Sequence, residues 1–318
     1  MTGPATRHLG IDLGGTNLKW AAVEHADDAW RVLGRGQTPT LAEGGPDAVI
    51  GQFVEIGRSA LSEWPDIGSV GIGVPGLYDP ATGSTRFLVN FPGGWKGVAV
   101  VEPVTTTLGL PTALINDARA FGLAELRLGA GRGASSLVGL TLGTGVGGVI
   151  AIDGRVHLGH DGTAGEVGHQ TIDPNGPMCN CGNRGCLEAF ARADRIAEAC
   201  GTATVEAAVL AARAGDVAAC EGLARVGRYL GIGIANLITI ISPDRVVIGG
   251  GIAAAGDLLL EPIRAELRLR VRTTALDDVT LVTAELGTWA GSMGAAVHGA
   301  ESAATASAVD HDHLGARR

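Results

Sequence analysis

Two short stretches of this chain share one pattern: an apolar strand, a turn of glycine and threonine, then a second strand. The first is Leu9-Gly-Ile-Asp-Leu-Gly-Gly-Thr16, the second Leu140-Thr-Leu-Gly-Thr-Gly-Val-Gly147. Two copies predict a duplicated unit and not a solenoid, which needs at least about three repeats. Glycine at the turn adopts φ > 0 and leaves backbone N–H groups uncovered, and threonine adds a hydroxyl donor. Such a loop can wrap a polyphosphate. One copy alone reads as an ordinary hairpin; two matching copies favour the phosphate reading.

Glycine is abundant throughout, 51 of 318 residues, against about 7% in average proteins. There is no G-X-Y period, only 13 prolines, and 46% of residues are hydrophobic. Collagen and a flexible linker are thereby excluded, and a sizeable core is expected. The formal net charge of −9 argues against a nucleic-acid partner, which needs a basic face. Lys19 and Lys96 are the two lysines. Residues 1–8 lack the apolar core of a signal peptide. Residues 133–152 carry no charge, but their glycines, serines and threonines predict two buried strands and a turn, with no membrane span. A cytoplasmic protein is expected.

The chain reads strand at 8–13 and 19–24, helix at 47–64, and strand at 69–74 closed by Pro75-Gly76. A second section begins near Leu114, with strands at 111–115, 137–142 and 148–152. Helices are expected at 118–128, 204–214, 221–241 and 257–271, and strands at 245–248 and 279–284. The 221–241 segment is apolar almost all round, which predicts burial. The organisation expected is a smaller α/β domain over 1–115, joined by a helix at about 289–300, a larger α/β domain over 116–288, and a disordered tail at 301–318.

Rival nucleotide motifs do not fit. No G-x-x-x-x-G-K-[ST] occurs. Residues 143–148 fit G-x-G-x-x-G, but a strand follows where a dinucleotide site needs a helix. Gly249-Gly250-Gly251 and the residues to Ala254 fit the looser G-x-G-x-x-A, without an acidic residue closing a second strand about 20 positions later. This third loop is read as a close backbone approach to an adenosine. Asp12 ends the first strand beside the first loop, where a carboxylate near phosphates makes sense with Mg²⁺ or its water between them. Lys19 supplies a cation. Asn116-Asp117 follows a strand and precedes a helix, and there either residue can be an N-cap or a catalytic group.

The chain resembles the ROK sugar kinases, relatives of hexokinase in the actin-like ATPase fold, over roughly residues 8–299. The motifs are Asp12-Leu-Gly-Gly-Thr16, Gly73-Val-Pro-Gly76, Ile115-Asn-Asp117, Leu142-Gly-Thr-Gly-Val-Gly-Gly148, Ala164-Gly-Glu-Val-Gly-His169, Cys179-Asn-Cys-Gly-Asn-Arg-Gly-Cys-Leu-Glu188 and Val247-Ile-Gly-Gly-Gly251. The resemblance implies a two-domain α/β (ribonuclease H-like) fold with a cleft, and ATP-dependent phosphorylation of a hexose 6-hydroxyl, glucose first. N-acetylmannosamine, fructose, allose and kanosamine are the alternative acceptors, and polyphosphate an alternative donor. It implies Asp117 as general base, and a sugar site of Gly76, Asn90, Asn116, Asp117, Glu166, His169 and Glu188. The ATP site is expected at Asp12, Gly14, Gly15, Thr16, Asn17, Lys19, Thr144, Gly145, Gly249, Gly250 and Gly251. A homodimer or homotetramer follows from the same likeness. The family often has Lys where Asn17 stands, and 90–95 carries one glycine more than the usual pattern.

The thiols Cys179, Cys181 and Cys186 lie within eight residues. Structural Zn²⁺ takes four N or S ligands, and His169 completes a Cys₃His set, in agreement with the family. Gly182 and Gly185 let the chain curl around one ion. A closed site leaves no position for substrate, so this zinc is expected to be structural. Cys200 and Cys220 read as inert buried thiols. ROK members also include sugar-responsive repressors, which carry a helix-turn-helix ahead of the kinase-like body. Only about seven residues precede the first strand here, which favours the kinase. An NAD-dependent oxidoreductase on the 249–254 loop is the other rival.

Overall fold

The duplication appears as two sheets with one strand order. The computed structural model describes residues 5–88, 91–92 and 94–315. It divides into unit 1 (1–128, 159–163 and 288–318) and unit 2 (129–158 and 164–287).

In unit 1, β1 (Thr6–Leu13), β2 (Asn17–Ala26) and β3 (Ala29–Pro39) form an antiparallel meander. After α1 (Gly45–Glu63), β4 (Ile67–Val74) pairs in parallel with β1. A small hairpin follows, β5 (Gly76–Asp79) with β6 (Ser84–Leu88). Then come α2 (Val101–Leu108), β7 (Thr112–Asn116), parallel to β4, and α3 (Asp117–Leu128). The sheet order is β3-β2-β1-β4-β7.

Unit 2 repeats this plan. β8 (Leu137–Leu142) and β9 (Val146–Ile152) are antiparallel, and β10 (Arg155–Val156) extends the meander. α4 (Glu188–Ala191), α5 (Ala193–Ala199), α6 (Val205–Arg213) and α7 (Val217–Ile241) precede β11 (Arg245–Gly250), which lies parallel to β8. α8 (Asp257–Arg270) leads to β12 (Thr280–Thr283), parallel to β11. The order is β10-β9-β8-β11-β12. Thr204 and Asp216 cap α6 and α7, their side chains accepting from Ala207 N and Ala219 N, which satisfies donors that a helix start leaves orphaned.

Alternation along β1 and β4 gives the first sheet two different faces. Leu9, Ile11, Leu13, Val70, Ile72 and Val74 pack into one core with Val49 and Phe53 of α1 and Val104 of α2. The opposite face carries Gly10 and Gly71, and the C-terminal helix (Ala290–Gly315) lies directly on it. A Cβ on Gly10 would sit 1.9 Å from Ser292 O, and one on Gly71 1.7 Å from Ala295 O. These glycines therefore serve backbone-to-backbone packing and not a ligand. Gly71→Ala is expected to destabilise by about 2–3 kcal/mol through overpacking, lowering the thermal midpoint by roughly 5–10 °C. A scanning calorimetry midpoint within error of the unaltered protein would contradict this packing.

Three sequence expectations change, and one strand is added. The domain limit at 115 moves, because α3 packs on the C-terminal helix in unit 1; a Cβ on Gly294 would lie 1.8 Å from Ala120 O. The tail beyond Glu301 is helical to Gly315, favoured by its alanines and by the Arg127–Glu301 ion pair at 2.7 Å. β3 falls where the sequence reading placed no element; a Cβ on its Gly34 or Gly36 would meet the Trp64 and Trp20 indoles, at 2.6 and 2.7 Å. Finally, α7 is buried along one stripe only. It is long and apolar enough to cross a membrane, yet half of that window is buried, and its buried side chains belong to the unit 2 core with Leu259 and Ile263 of α8.

Candidate functional site

Asp12 and Asn116-Asp117 stand at the carboxyl ends of the parallel strands β1 and β7, where open α/β sheets bind ligands. In unit 1 the β1–β2 turn is held by Gly14 N donating to Asn17 O (3.2 Å) and Thr40 Oγ1 donating to Gly14 O (2.7 Å). Gly15 and Thr16 are exposed at its tip. Asp12, on the last turn of β1, pairs in register with Lys19, whose Nζ donates to Thr288 O at 3.1 Å.

Gly291 and Gly73 make room for the Asp12 carboxyl; a Cβ on Gly291 would lie 2.4 Å from Asp12 Oδ2. Burial first, then the Asp117 charge, pushes Asp12 up to about 7, with Lys19 pulling the other way. The sign follows from linkage. An acid that ionises at 3.8 unfolded and about 7 folded contributes stability below the lower value and loses it as pH rises through the higher. Asp12→Asn stays neutral, so it is expected to match the nucleotide-free parent at pH 4 and to melt several degrees higher at about pH 8. Equal melting at both pH values would show that Asp12 is ionised at no cost.

β7 ends at Asn116, and α3 begins at Asp117. Asn116 Oδ1 accepts from Ala118 N (3.0 Å) and Arg119 N (3.2 Å), capping α3. Asp117 Oδ1 accepts from Ala118 N at 2.8 Å. Asn116 Nδ2 donates to Gly76 O at 3.1 Å, so three expected sugar residues stand together. Gly76 has φ +125°, and a Cβ there would lie 2.3 Å from Phe87 O; its glycine is required by the β5–β6 hairpin. Asn90 lies outside the described residues.

In unit 2 two glycine loops follow the carboxyl ends of the neighbouring strands β8 and β11. The β8–β9 turn is closed by Gly143 N donating to Gly145 O at 2.9 Å, with Gly143 and Thr144 exposed. Gly249 and Gly250 pair with Thr141 and Leu142 at the end of β8. Gly250 has φ +87°, and a Cβ there would lie 2.0 Å from Leu142 O. Glu188, expected at the sugar, is engaged by two protein groups. Its Oε2 accepts from Val146 N at 2.9 Å, and its Oε1 accepts from Cys179 Sγ at 3.5 Å. It thus joins the cysteine loop to the β8–β9 turn, a link that no spacing announces.

His169 Nδ1 and the thiols of Cys179, Cys181 and Cys186 lie within 4.8 Å of one another. Tetrahedral Zn²⁺ with ~2.3 Å Zn–S bonds sets sulfurs about 3.8 Å apart. Here Cys181 Sγ and Cys186 Sγ are 3.7 Å apart, as are Cys179 Sγ and His169 Nδ1, so the donor set fits zinc. Gly182 and Gly185 both have positive φ, +91° and +72°, as the tight loop requires. His169 Nε2 points away from the thiols, 4.0 Å from Glu166 Oε2.

The sequence profile of the ROK family matches residues 8–300. A glucokinase of Thermotoga maritima is 36% identical over 92% of this chain and 97% of its own length. Among solved structures, a ROK hexokinase from Thermus thermophilus superposes with a TM-score of 0.80 at 35% identity, covering 93% of this chain and 99% of that one. A ROK family glucokinase from Streptomyces griseus, solved with glucose and AMPPNP, gives a TM-score of 0.73 at 30% identity, over 93% and 99%. The fold is that of the actin-like ATPases, in its ROK sugar-kinase form.

Proposed function

This chain belongs to the ROK family, and from that membership we propose that it is an ATP-dependent sugar kinase that converts glucose to glucose 6-phosphate. The observation that carries the reading is Asn116-Asp117 at the carboxyl end of β7, with Asp12 at the matching end of β1, in a chain that aligns along nearly its whole length with glucokinases.

Asp117 is the general base. It accepts the proton of the 6-hydroxyl as that oxygen bonds to the γ-phosphorus; the bond from phosphorus to the β–γ bridging oxygen breaks, and ADP leaves. Charge on the transferring group is met by N–H groups of the β1–β2 turn (Gly15, Thr16, Asn17), which Gly14 closes through its own N–H, and of the β8–β9 turn (Thr144, Gly145). Lys19 adds a cation. Asp12 is the side chain that would hold Mg²⁺ or its water, and the ion would supply charge neutralisation to the ATP phosphates. Gly249, Gly250 and Gly251 form the adenosine side. Gly76, Asn90, Asn116, Glu166, His169 and Glu188 are the proposed sugar contacts.

Zinc held by His169, Cys179, Cys181 and Cys186 would fix the loops that carry Glu166 and Glu188, and supplies no chemistry to the transfer. A homodimer or homotetramer in the cytoplasm is part of the same reading. ADP release with ATP and a panel of hexoses tests it. Glucose is expected to give the highest kcat/KM; no hexose-dependent ADP release overturns the kinase, and a better hexose replaces glucose. Polyphosphate in place of ATP tests the donor.

A further inference from the structure

We propose that Arg119 is a positioning residue for the acceptor sugar: its buried guanidinium locks the Asn116 amide so that this side chain meets the sugar only as a hydrogen-bond donor. The inference rests on the sugar-kinase reading above.

Arg119 is 2% exposed, and heads the largest side chains buried to that degree. A guanidinium is rarely buried without compensating hydrogen bonds. Its Nη1 donates to Asn116 Oδ1 at 2.8 Å, and its Nη2 donates to Thr163 O at 2.9 Å. Thr163 is itself held by its Oγ1 donating to Asp161 Oδ1 at 2.6 Å. One side chain thus clips the 159–163 segment of unit 1 to the start of α3.

The consequence falls on Asn116. Its Oδ1 takes three donors: Ala118 N, Arg119 N and Arg119 Nη1. An amide oxygen has two lone pairs, so it has no capacity left for a sugar hydroxyl. Turning the amide over would set its NH₂ against those three donors. One N–H goes to Gly76 O. The other N–H has no acceptor among the described residues and is what the side chain can offer a ligand. The sugar oxygen that meets Asn116 must therefore accept.

Fluorine accepts weakly and cannot donate, whereas hydrogen does neither. The test measures binding of deoxy and deoxyfluoro glucose pairs, position by position, without ATP. In the unaltered protein at least one ring position is expected where the fluoro sugar binds several-fold tighter than the deoxy sugar. In Arg119→Met that gap is expected to shrink toward unity, and KM for glucose to rise about tenfold with KM for ATP within about twofold. Arg119→Lys keeps one donor and is expected to fall between the two; it carries the test if the methionine variant does not fold. A folded variant with an unchanged gap and unchanged glucose KM overturns the role of Arg119. Loss of hexose-dependent ADP release in the unaltered protein would instead refute the kinase reading, so the two failures are distinct.

Discussion

Asp117→Asn is expected to cut kcat by at least about 10²-fold while leaving KM for glucose nearly unchanged. Asp117 Oδ1 accepts from Ala118 N at 2.8 Å, and an asparagine carbonyl keeps that bond. Asn116 continues to cap α3 through Ala118 N and Arg119 N, so the helix start does not depend on the carboxylate. What goes is the basic oxygen that takes the 6-hydroxyl proton. A second readout comes from Asp12, which the Asp117 charge pushes upward. Without that charge, the pH-dependent loss of stability carried by Asp12 should move to lower pH. Near-normal turnover in Asp117→Asn would remove this residue as the base, whatever happens to the Asp12 titration.

The second large effect is expected at the Cys₃His cluster. One zinc per chain should be found by elemental analysis, and Cys186→Ser should lose both the metal and at least about 10²-fold in kcat/KM. Structural zinc contributes ~10 kcal/mol or more of binding free energy in small zinc domains, well above the ~2–5 kcal/mol of a typical large core truncation. The route of the damage can be stated. Cys179 lies on Glu188, and Glu188 accepts from Val146 N beside the β8–β9 turn. A loosened cysteine loop withdraws that acceptor, so KM for ATP should rise along with KM for glucose. A zinc-free protein with both constants unchanged would contradict the coupling.

Much of this arrangement was legible in the residues because it rests on local chemistry. The strand–turn–strand repeats need glycine at their turns, and the Cys₃His spacing needs glycine between its ligands. Both demands act within a few positions of sequence. What stayed hidden depends on distant partners. β3 went unread, and its Gly34 and Gly36 yield their side-chain space to Trp64 and Trp20. Arg119 looked like an ordinary helix arginine, because nothing nearby in sequence tells that its guanidinium is buried against Asn116 and Thr163. Glu188 was placed by its neighbours in the motif, yet its hydrogen bond runs to a residue 42 positions away. Gly10, read with the first phosphate loop, and Gly71, which matched no ligand loop, both have this long-range origin.

Those two glycines bear on how the protein is made. The ribosome completes β1 and β4 long before it reaches Ser292 and Ala295. Throughout that interval the sheet of unit 1 waits with one side uncovered. The side buried early, by α1 and α2, is the leucine, isoleucine and valine side. The side left bare carries Gly10, Ser69 and Gly71, with Ala21, Val23, Ala113 and Ile115 on the neighbouring strands. A nascent chain of this design shows chaperones and neighbouring chains a face of mostly small residues, broken by Val23 and Ile115, while it waits for its closing helix.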